Sequence, residues 1–183
     1  FNSSHLHSSR FFIYNTTMVN KKTIIFYGLV VCLIFFGNAF LSGQIEKGKI
    51  VDEIVCADGK HSYSLYLPST YSKDKKWPVI FFLEAAKRWK LPLERFKNAA
   101  ETYGYILVCS RQFEDGPYEA NNRAMLAMWN DVHQRFSVDQ ARRYGSGFSG
   151  GARGATRLHY MTQKSLAGII ACGAGLDVRL KPE

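Results

Sequence analysis

Apolar and polar residues follow one another along positions 48–176 in a pattern that predicts a regular succession of strands and helices. Residues 49–57 and 61–67 flank Asp58-Gly59, a dipeptide typical of tight hairpin turns. We therefore expect two antiparallel strands at the start of the domain. The second of them alternates along its length and ends at Pro68, a pattern that favours an edge strand.

Three continuous apolar runs follow, at residues 78–83, 105–109 and 167–173. Runs of this kind are typical of strands that are buried on both faces. Between and after them, residues 93–103 and 125–136 place apolar side chains at helical spacing. Because strand and helix alternate, the sequence predicts right-handed crossovers and an α/β fold whose mostly parallel sheet is covered on both faces.

The two helical segments carry their own boundary and packing signals. Pro92 is expected at the first helical position of the first segment, and Gly104 is expected to stop it. The second segment has a single apolar stripe, which we interpret as part of the core and not as a ligand contact. The stripe consists of Met125, Met128, Trp129, Val132 and Phe136.

The motif with the clearest chemical meaning lies at residues 147–151, which read Gly-Phe-Ser-Gly-Gly. It matches the G-x-S-x-G pattern of a nucleophile elbow, a sharp strand-to-helix turn with Ser149 at its tip. A strand-like run at 142–148 precedes the motif, and apolar residues at helical spacing follow it. Ser146 is the nearby competitor for the role of Ser149, but it does not match the pattern because it lacks a glycine two positions before it. The alternative is a glycine-rich turn with an incidental serine.

Composition limits the remaining possibilities. The chain has 183 residues, of which 46% are hydrophobic, and this predicts one globular domain. Its net charge of +9 is spread along the sequence, which favours a solvated basic surface over nucleic-acid binding. The cysteines show no metal-binding or redox spacing, and no cofactor or metal is implied. We expect three of them, Cys56, Cys109 and Cys172, to be buried thiols.

The N-terminal region has the pattern of an export signal. Residues 18–43 combine a basic start, an apolar stretch and small residues, which predicts a signal peptide cleaved before Gln44 or, as second choice, after Ala39. Residues 1–17 are then upstream translated sequence. The protein is expected to be secreted or periplasmic; the alternative is an uncleaved membrane anchor at residues 23–41.

Four segments together resemble the α/β-hydrolase superfamily, in particular secreted polyhydroxybutyrate-depolymerase and feruloyl-esterase-like proteins of bacteria. They are residues 63–68, 78–82, 99–105 and 136–151. The resemblance implies an α/β-hydrolase fold with a mostly parallel sheet, an N-terminal antiparallel hairpin and helices on both faces. It also implies that the domain, at residues 44–183, is truncated after the strand that follows the elbow helix.

The resemblance also implies a set of site residues. Ser149 would be the nucleophile, and the N–H groups of Gly150 and Ala85 would form the oxyanion hole. Many relatives have His-Gly in the loop that here reads Glu84-Ala85-Ala86. The Glu84 carboxylate would repel an oxyanion unless it is turned away or paired with Lys87 or Arg88.

The other two members of a catalytic triad are expected beyond this sequence, because hydrolases of this class run Ser, then Asp or Glu, then His. His61, His133 and His159 are not expected to act as the base, and Asp177 comes one strand too early to be the acid. The 183 residues alone should therefore be an inactive fragment; otherwise the chain is a naturally shortened, inactive protein.

The function expected on these grounds is that of a secreted serine esterase. Its partner would be an ester substrate, either a polymer or an acylated saccharide. No nucleic acid is expected, and a membrane only if the N-terminal segment stays uncleaved. Two alternatives stay open, a non-catalytic hydrolase-like binding protein and a serine peptidase on the same fold.

Overall fold

The computed structural model describes residues 45–177. The predicted upstream sequence, signal peptide and membrane anchor lie outside the described residues. In the part that is described, no helix combines the length and the apolar content needed to cross a membrane. The elements in chain order are β1 (Ile50–Val55), β2 (Ser62–Tyr66), β3 (Trp77–Leu83), α1 (Lys90–Tyr103), β4 (Ile106–Ser110), α2 (Tyr118–Arg135), β5 (Val138–Phe148), α3 (Gly150–Met161) and β6 (Gly168–Cys172).

The six strands form one sheet in the order β1-β2-β4-β3-β5-β6. Strand β2 pairs antiparallel with β1 and with β4, whereas β3, β4, β5 and β6 run parallel to one another. Each parallel connection crosses the sheet through a helix, as the alternating pattern predicts. The predicted fold class is confirmed, with a mostly parallel sheet and an antiparallel hairpin at its start.

The sheet has a hydrophobic cluster on each face, which confirms that helices cover both. Along β3, Val79 and Phe81 point towards α2 and α3, and Phe82 points towards α1, as the two-residue period of a strand requires. The stripe on α2 is core as predicted, since Met125, Met128 and Val132 are fully buried.

The hairpin forms where it is predicted, but β2 is not an edge strand. Asp58 closes the turn by accepting the N–H groups of Lys60 and His61 at 3.0 Å each, and Gly59 takes a φ of 67°. All five residues of β2 are buried because the strand is paired on both sides. Its polar alternation reflects internal hydrogen bonds, such as that from the Ser64 hydroxyl to the Asp52 carbonyl at 2.5 Å.

Two predicted boundaries also need correction. Strand β5 begins at Val138 and not at Arg142, directly after Phe136 has ended α2. Val138 pairs with Trp77, and a register shift between Trp77 and Val79 admits the polar residues that follow in β5. Helix α1 begins at Lys90, two residues before Pro92, and it ends as predicted at Gly104, with a φ of 72°.

Strand β6 differs most from its prediction as a buried strand. Within residues 45–177 it pairs with β5 alone, so one of its edges faces outwards. Ile170 is 53% exposed and Cys172 is exposed, whereas Cys56 and Cys109 are buried. The prediction of three buried thiols is therefore wrong for Cys172, because an apolar run does not reveal how many neighbours a strand has.

A buried carboxylate joins the hairpin to α2. Asp131, on α2, is 2% exposed and accepts the Ala57 N–H at 2.9 Å, the Tyr63 hydroxyl at 2.7 Å and the Arg135 Nε–H at 2.6 Å. Desolvation raises the pKa of Tyr63, and the adjacent carboxylate raises it further. Three donors compensate the cost of burying the charge. The same group therefore holds a turn, a strand and a helix together.

We predict that Asp131→Ala lowers the free energy of unfolding by roughly 3–5 kcal/mol, because it leaves buried donors and the Arg135 cation without their acceptor. Urea denaturation of the two proteins measures the difference. Asp52→Ala is the control, since the Asp52 side chain is 53% exposed and its ion pairs with Lys90 and Arg111 lie at the surface. The control should cost less than about 1 kcal/mol. Equal losses in the two variants would contradict the assigned role of Asp131.

Candidate active site

Ser149 is a one-residue link between β5, which ends at Phe148, and α3, which begins at Gly150. Its backbone takes φ 51° and ψ −115°, a conformation that costs an L-residue on the order of 1–3 kcal/mol. The Ser149 N–H donates to the Cys172 carbonyl at 2.8 Å, and its carbonyl accepts the Ala152 N–H at 3.0 Å. The predicted order of strand, turn and helix is therefore present, and hydrogen bonds on both sides hold the turn.

The glycines of the motif are required by close packing. A Cβ on Gly147 would overlap the carbonyl group of Gly151, and a Cβ on Gly151 would overlap the carbonyl oxygen of Leu83. The start of α3 thus lies directly against the ends of β3 and β5, at a distance that only glycine permits. This explains why small residues flank Ser149.

The Ser149 side chain remains available for chemistry. The residue is half-buried, and within residues 45–177 its hydroxyl has no hydrogen-bond partner. It lies at the N-terminus of α3, where free N–H groups and the helix dipole favour negative charge. The hydroxyl is therefore neither enclosed by packed side chains nor held in a structural hydrogen bond within the described part of the chain.

The two residues expected to supply oxyanion donors lie together. Gly150 is the first residue of α3, so its N–H has no acceptor within the helix. The methyl group of Ala85, in the loop after β3, lies 3.1 Å from the point that a Cβ on Gly150 would occupy. Among the described residues the Ala85 N–H donates to no acceptor. Two free donors therefore come from neighbouring positions.

The Glu84 carboxylate is paired with Arg88. Its carboxylate accepts the N–H of Ala86 at 3.0 Å, the N–H of Arg88 at 2.7 Å and the Arg88 Nη2–H at 2.7 Å. Partial burial opposes ionisation, but the Arg88 guanidinium and these N–H groups hold the pKa of Glu84 below its usual value. Of the two cations considered from the sequence, Arg88 is the partner; Lys87 pairs with Glu114 at 2.5 Å.

The three histidines of the described region lie elsewhere. His61 pairs with Asp58 at 2.5 Å in the hairpin turn, and the His133 Nδ1 lies 2.7 Å from the Trp129 carbonyl oxygen on α2. His159 is near the C-terminal end of α3, with its ring against Tyr160. Within residues 45–177 no histidine therefore contacts Ser149.

Asp177 is committed to a different partner. Its Oδ2 lies 3.1 Å from the Arg157 Nε in an ion pair whose side chains are 6% and 8% exposed, although the angle is unsuited to a hydrogen bond. The Arg157 guanidinium also stacks on the Tyr118 ring, 3.8 Å from its centroid. The pair fixes the segment after β6 to α3 and α2, which agrees with the expectation that Asp177 is not the catalytic acid.

Sequence reasoning missed Asp115, which follows β4. A Cβ on Gly150 would overlap its Oδ1, so this carboxylate packs directly against the start of α3. The Asp115 N–H donates to the Ala85 carbonyl at 3.1 Å. In the sequence, Asp115-Gly116-Pro117 indicates only a loop. No local signal could place it, because its position depends on how two loops pack together.

Different pockets adjoin the residues on the two sides of Ser149. Phe148 borders an apolar groove of about 420 Å³ beside α1 that also includes Phe82, Phe96 and Ile170. Gly150 borders a smaller pocket of about 210 Å³, which we call the polar pocket. Its lining includes Phe113, Glu114, Asp115, Arg153, Arg157 and Asp177. The polar pocket adjoins Gly150, one of the two free donors, and is therefore the better candidate for binding a polar group.

Comparison with known proteins finds matches only among solved structures; no family model and no curated protein matches. A thermostable esterase shares 18% identity with a TM-score of 0.51, over 72% of this chain and 42% of that one. A ferulic acid esterase shares 19% identity with a TM-score of 0.51, over 67% of this chain and 57% of that one. Est1E from Butyrivibrio proteoclasticus shares 14% identity with a TM-score of 0.55, over 66% of this chain and 50% of that one.

The chain thus spans about half the length of the esterase structures that it matches. At these identities the likeness establishes the fold, whereas the narrower resemblance to secreted depolymerases stays a prediction. The structural neighbours, the strand order of the sheet and the helices on both of its faces all indicate the same fold. Residues 45–177 therefore have the α/β-hydrolase fold, over the part of it that extends to β6.

Proposed function

We propose that this protein is a carboxylic-ester hydrolase with Ser149 as its nucleophile. The observation that carries the proposal is the single-residue turn between β5 and α3, with φ 51° at Ser149 and a hydroxyl free of partners within residues 45–177. A serine in this position has its hydroxyl beside the free N–H groups that a developing negative charge needs. The names of the structural neighbours, which are esterases, support the same class of reaction.

The proposed chemistry assigns a role to each of the residues at the turn. Ser149 Oγ attacks the ester carbonyl while a base takes its proton, and the oxyanion accepts hydrogen bonds from the Gly150 and Ala85 N–H groups. Collapse of the tetrahedral intermediate releases the alcohol, to which the base returns the proton. Water then hydrolyses the acyl-enzyme and regenerates the Ser149 hydroxyl.

We place the base and the acid outside the 183 residues. Within the described region, Ser149 has no histidine in contact with it. Asp177 is paired with Arg157. The chain also covers only about half the length of its structural neighbours. The 183 residues alone are then inactive. The finer assignment is a secreted enzyme that acts on ester-linked polymers or acylated saccharides, which the sequence of residues 18–43 and the ferulic acid esterase neighbour support.

A second candidate is a non-catalytic binding protein built on the same fold. The observation that favours it is the lack of a histidine against Ser149 among residues 45–177, together with the Asp115 carboxylate beside Gly150. A complete coding sequence without a later histidine would select this candidate over the enzyme.

We predict that Ser149→Ala, in the product of the complete coding sequence, lowers kcat for p-nitrophenyl acetate by at least about a thousandfold, because it removes the attacking oxygen. Ser146→Ala is the matched control, since Ser146 lies within β5 and pairs with Phe82 and Ile170 in the regular sheet. The control should keep most of the activity. Turnover that survives Ser149→Ala would contradict the proposed function, and the 183 residues alone should show none.

Leu33→Arg should block export, because it places a charge in the apolar stretch that the export machinery must accept. Without the change, the exported protein should begin at Gln44, which intact-mass measurement detects directly. A control substitution at Ser9, in the upstream region, should not alter export. An exported protein that retains residues 23–41 would instead support the membrane anchor.

A further inference from the structure

Asp115 connects the two proposed oxyanion donors. Its N–H donates to the Ala85 carbonyl at 3.1 Å, and its Oδ1 occupies the space that a side chain on Gly150 would fill. The backbone of Asp115 is thus held by the Ala85 loop, and its carboxylate lies against Gly150 in the lining of the polar pocket. Its position follows from the packing of the loop after β4 against the start of α3.

The other carboxylates near this corner have cations, whereas Asp115 has none within the described region. Glu84 pairs with Arg88 at 2.7 Å, and the lining residue Glu114 pairs with Lys87 at 2.5 Å. Asp115 is exposed, and among residues 45–177 its carboxylate forms neither an ion pair nor a hydrogen bond. Its negative charge therefore acts on whatever occupies the pocket.

We propose that Asp115 is a specificity-determining residue that sets the charge preference of the site. The inference rests on the proposed function, because it takes the neighbourhood of Gly150 and Ala85 as the place where the ester carbonyl binds. An ionised carboxylate repels a second negative charge a few ångströms away, and it accepts hydrogen bonds from hydroxyl and ammonium groups. Asp115 thus shifts the preference of the site towards neutral, hydroxylated or cationic esters, in opposition to the Arg153 and Arg157 cations that line the same pocket.

The same charge also acts on the transition state. The oxyanion that forms at Gly150 is stabilised by N–H groups and by the dipole of α3, and Asp115 opposes part of that stabilisation. Removing the charge should therefore raise kcat even for a neutral ester. This separates the proposal from a purely structural role, which would lower activity without a dependence on substrate charge.

The test is Asp115→Asn, which keeps the shape of the side chain and removes its charge. In the product of the complete coding sequence, kcat and KM are measured for methyl butyrate, monomethyl succinate and methyl 4-trimethylammoniobutyrate, and for acetate esters with the same charges on the alcohol side. We expect kcat/KM for an anionic ester to rise on the order of ten- to a hundredfold relative to the cationic one. The double variant Lys87→Gln/Glu114→Gln is the matched control, since it removes a complete ion pair beside the same pocket without changing the net charge, and its ratio should stay within about twofold.

Unchanged charge ratios and unchanged kcat in Asp115→Asn, with turnover still dependent on Ser149, would overturn this inference and leave the proposed function intact. Loss of activity in Asp115→Asn alone would also overturn the inference, whereas absence of esterase activity in the unsubstituted protein would be a failure of the proposed function. A second measurement covers that case: equilibrium binding of the same esters to Ser149→Ala and to Ser149→Ala/Asp115→Asn, followed by NMR titration. The double variant should bind the anionic ester more tightly relative to the cationic one. Equal relative affinities, or no binding of any ester, would overturn the inference.

Discussion

The contact on which this corner of the molecule depends is the approach of α3 to the ends of β3 and β5. Gly151 lies against the Leu83 carbonyl, and Gly147 lies against Gly151, without space for a Cβ at either position. Because the helix begins so close to the sheet, the chain must reverse within one residue. That residue, Ser149, accepts an unfavourable backbone conformation, which the surrounding close packing makes possible.

Parallel pairing then assembles the rest of the candidate site. Strands β3 to β6 run in the same direction, so the residues that follow them meet at one edge of the sheet. Glu84, Asp115, Ser149 and Asp177 each follow a different strand, and all lie near the start of α3 or its loops. Three of these four are carboxylates, and within residues 45–177 two of them, Glu84 and Asp177, form an ion pair with an arginine.

Features that depend on local pattern could be predicted from the sequence, whereas features that depend on neighbours could not. The hairpin turn at Asp58-Gly59, the stop at Gly104 and the order of strand, turn and helix around Ser149 follow from short-range backbone chemistry. The pairing of β2 on both sides and, within residues 45–177, the single neighbour of β6 are set by the whole sheet. The sequence pattern therefore predicted an edge position for Ser62–Tyr66 and an interior one for Cys172. Asp115 could not be found because no spacing relates it to Gly150.

The hydrogen bond from the Ser149 N–H to the Cys172 carbonyl has a consequence for how the protein is made. Its acceptor belongs to the last strand of the described region, so the bond cannot exist until synthesis has proceeded well beyond the serine itself. A nascent chain that has emerged only as far as α3 lacks this restraint on the turn. The turn at Ser149 is therefore fully restrained only after β6 has been synthesised and has paired with β5.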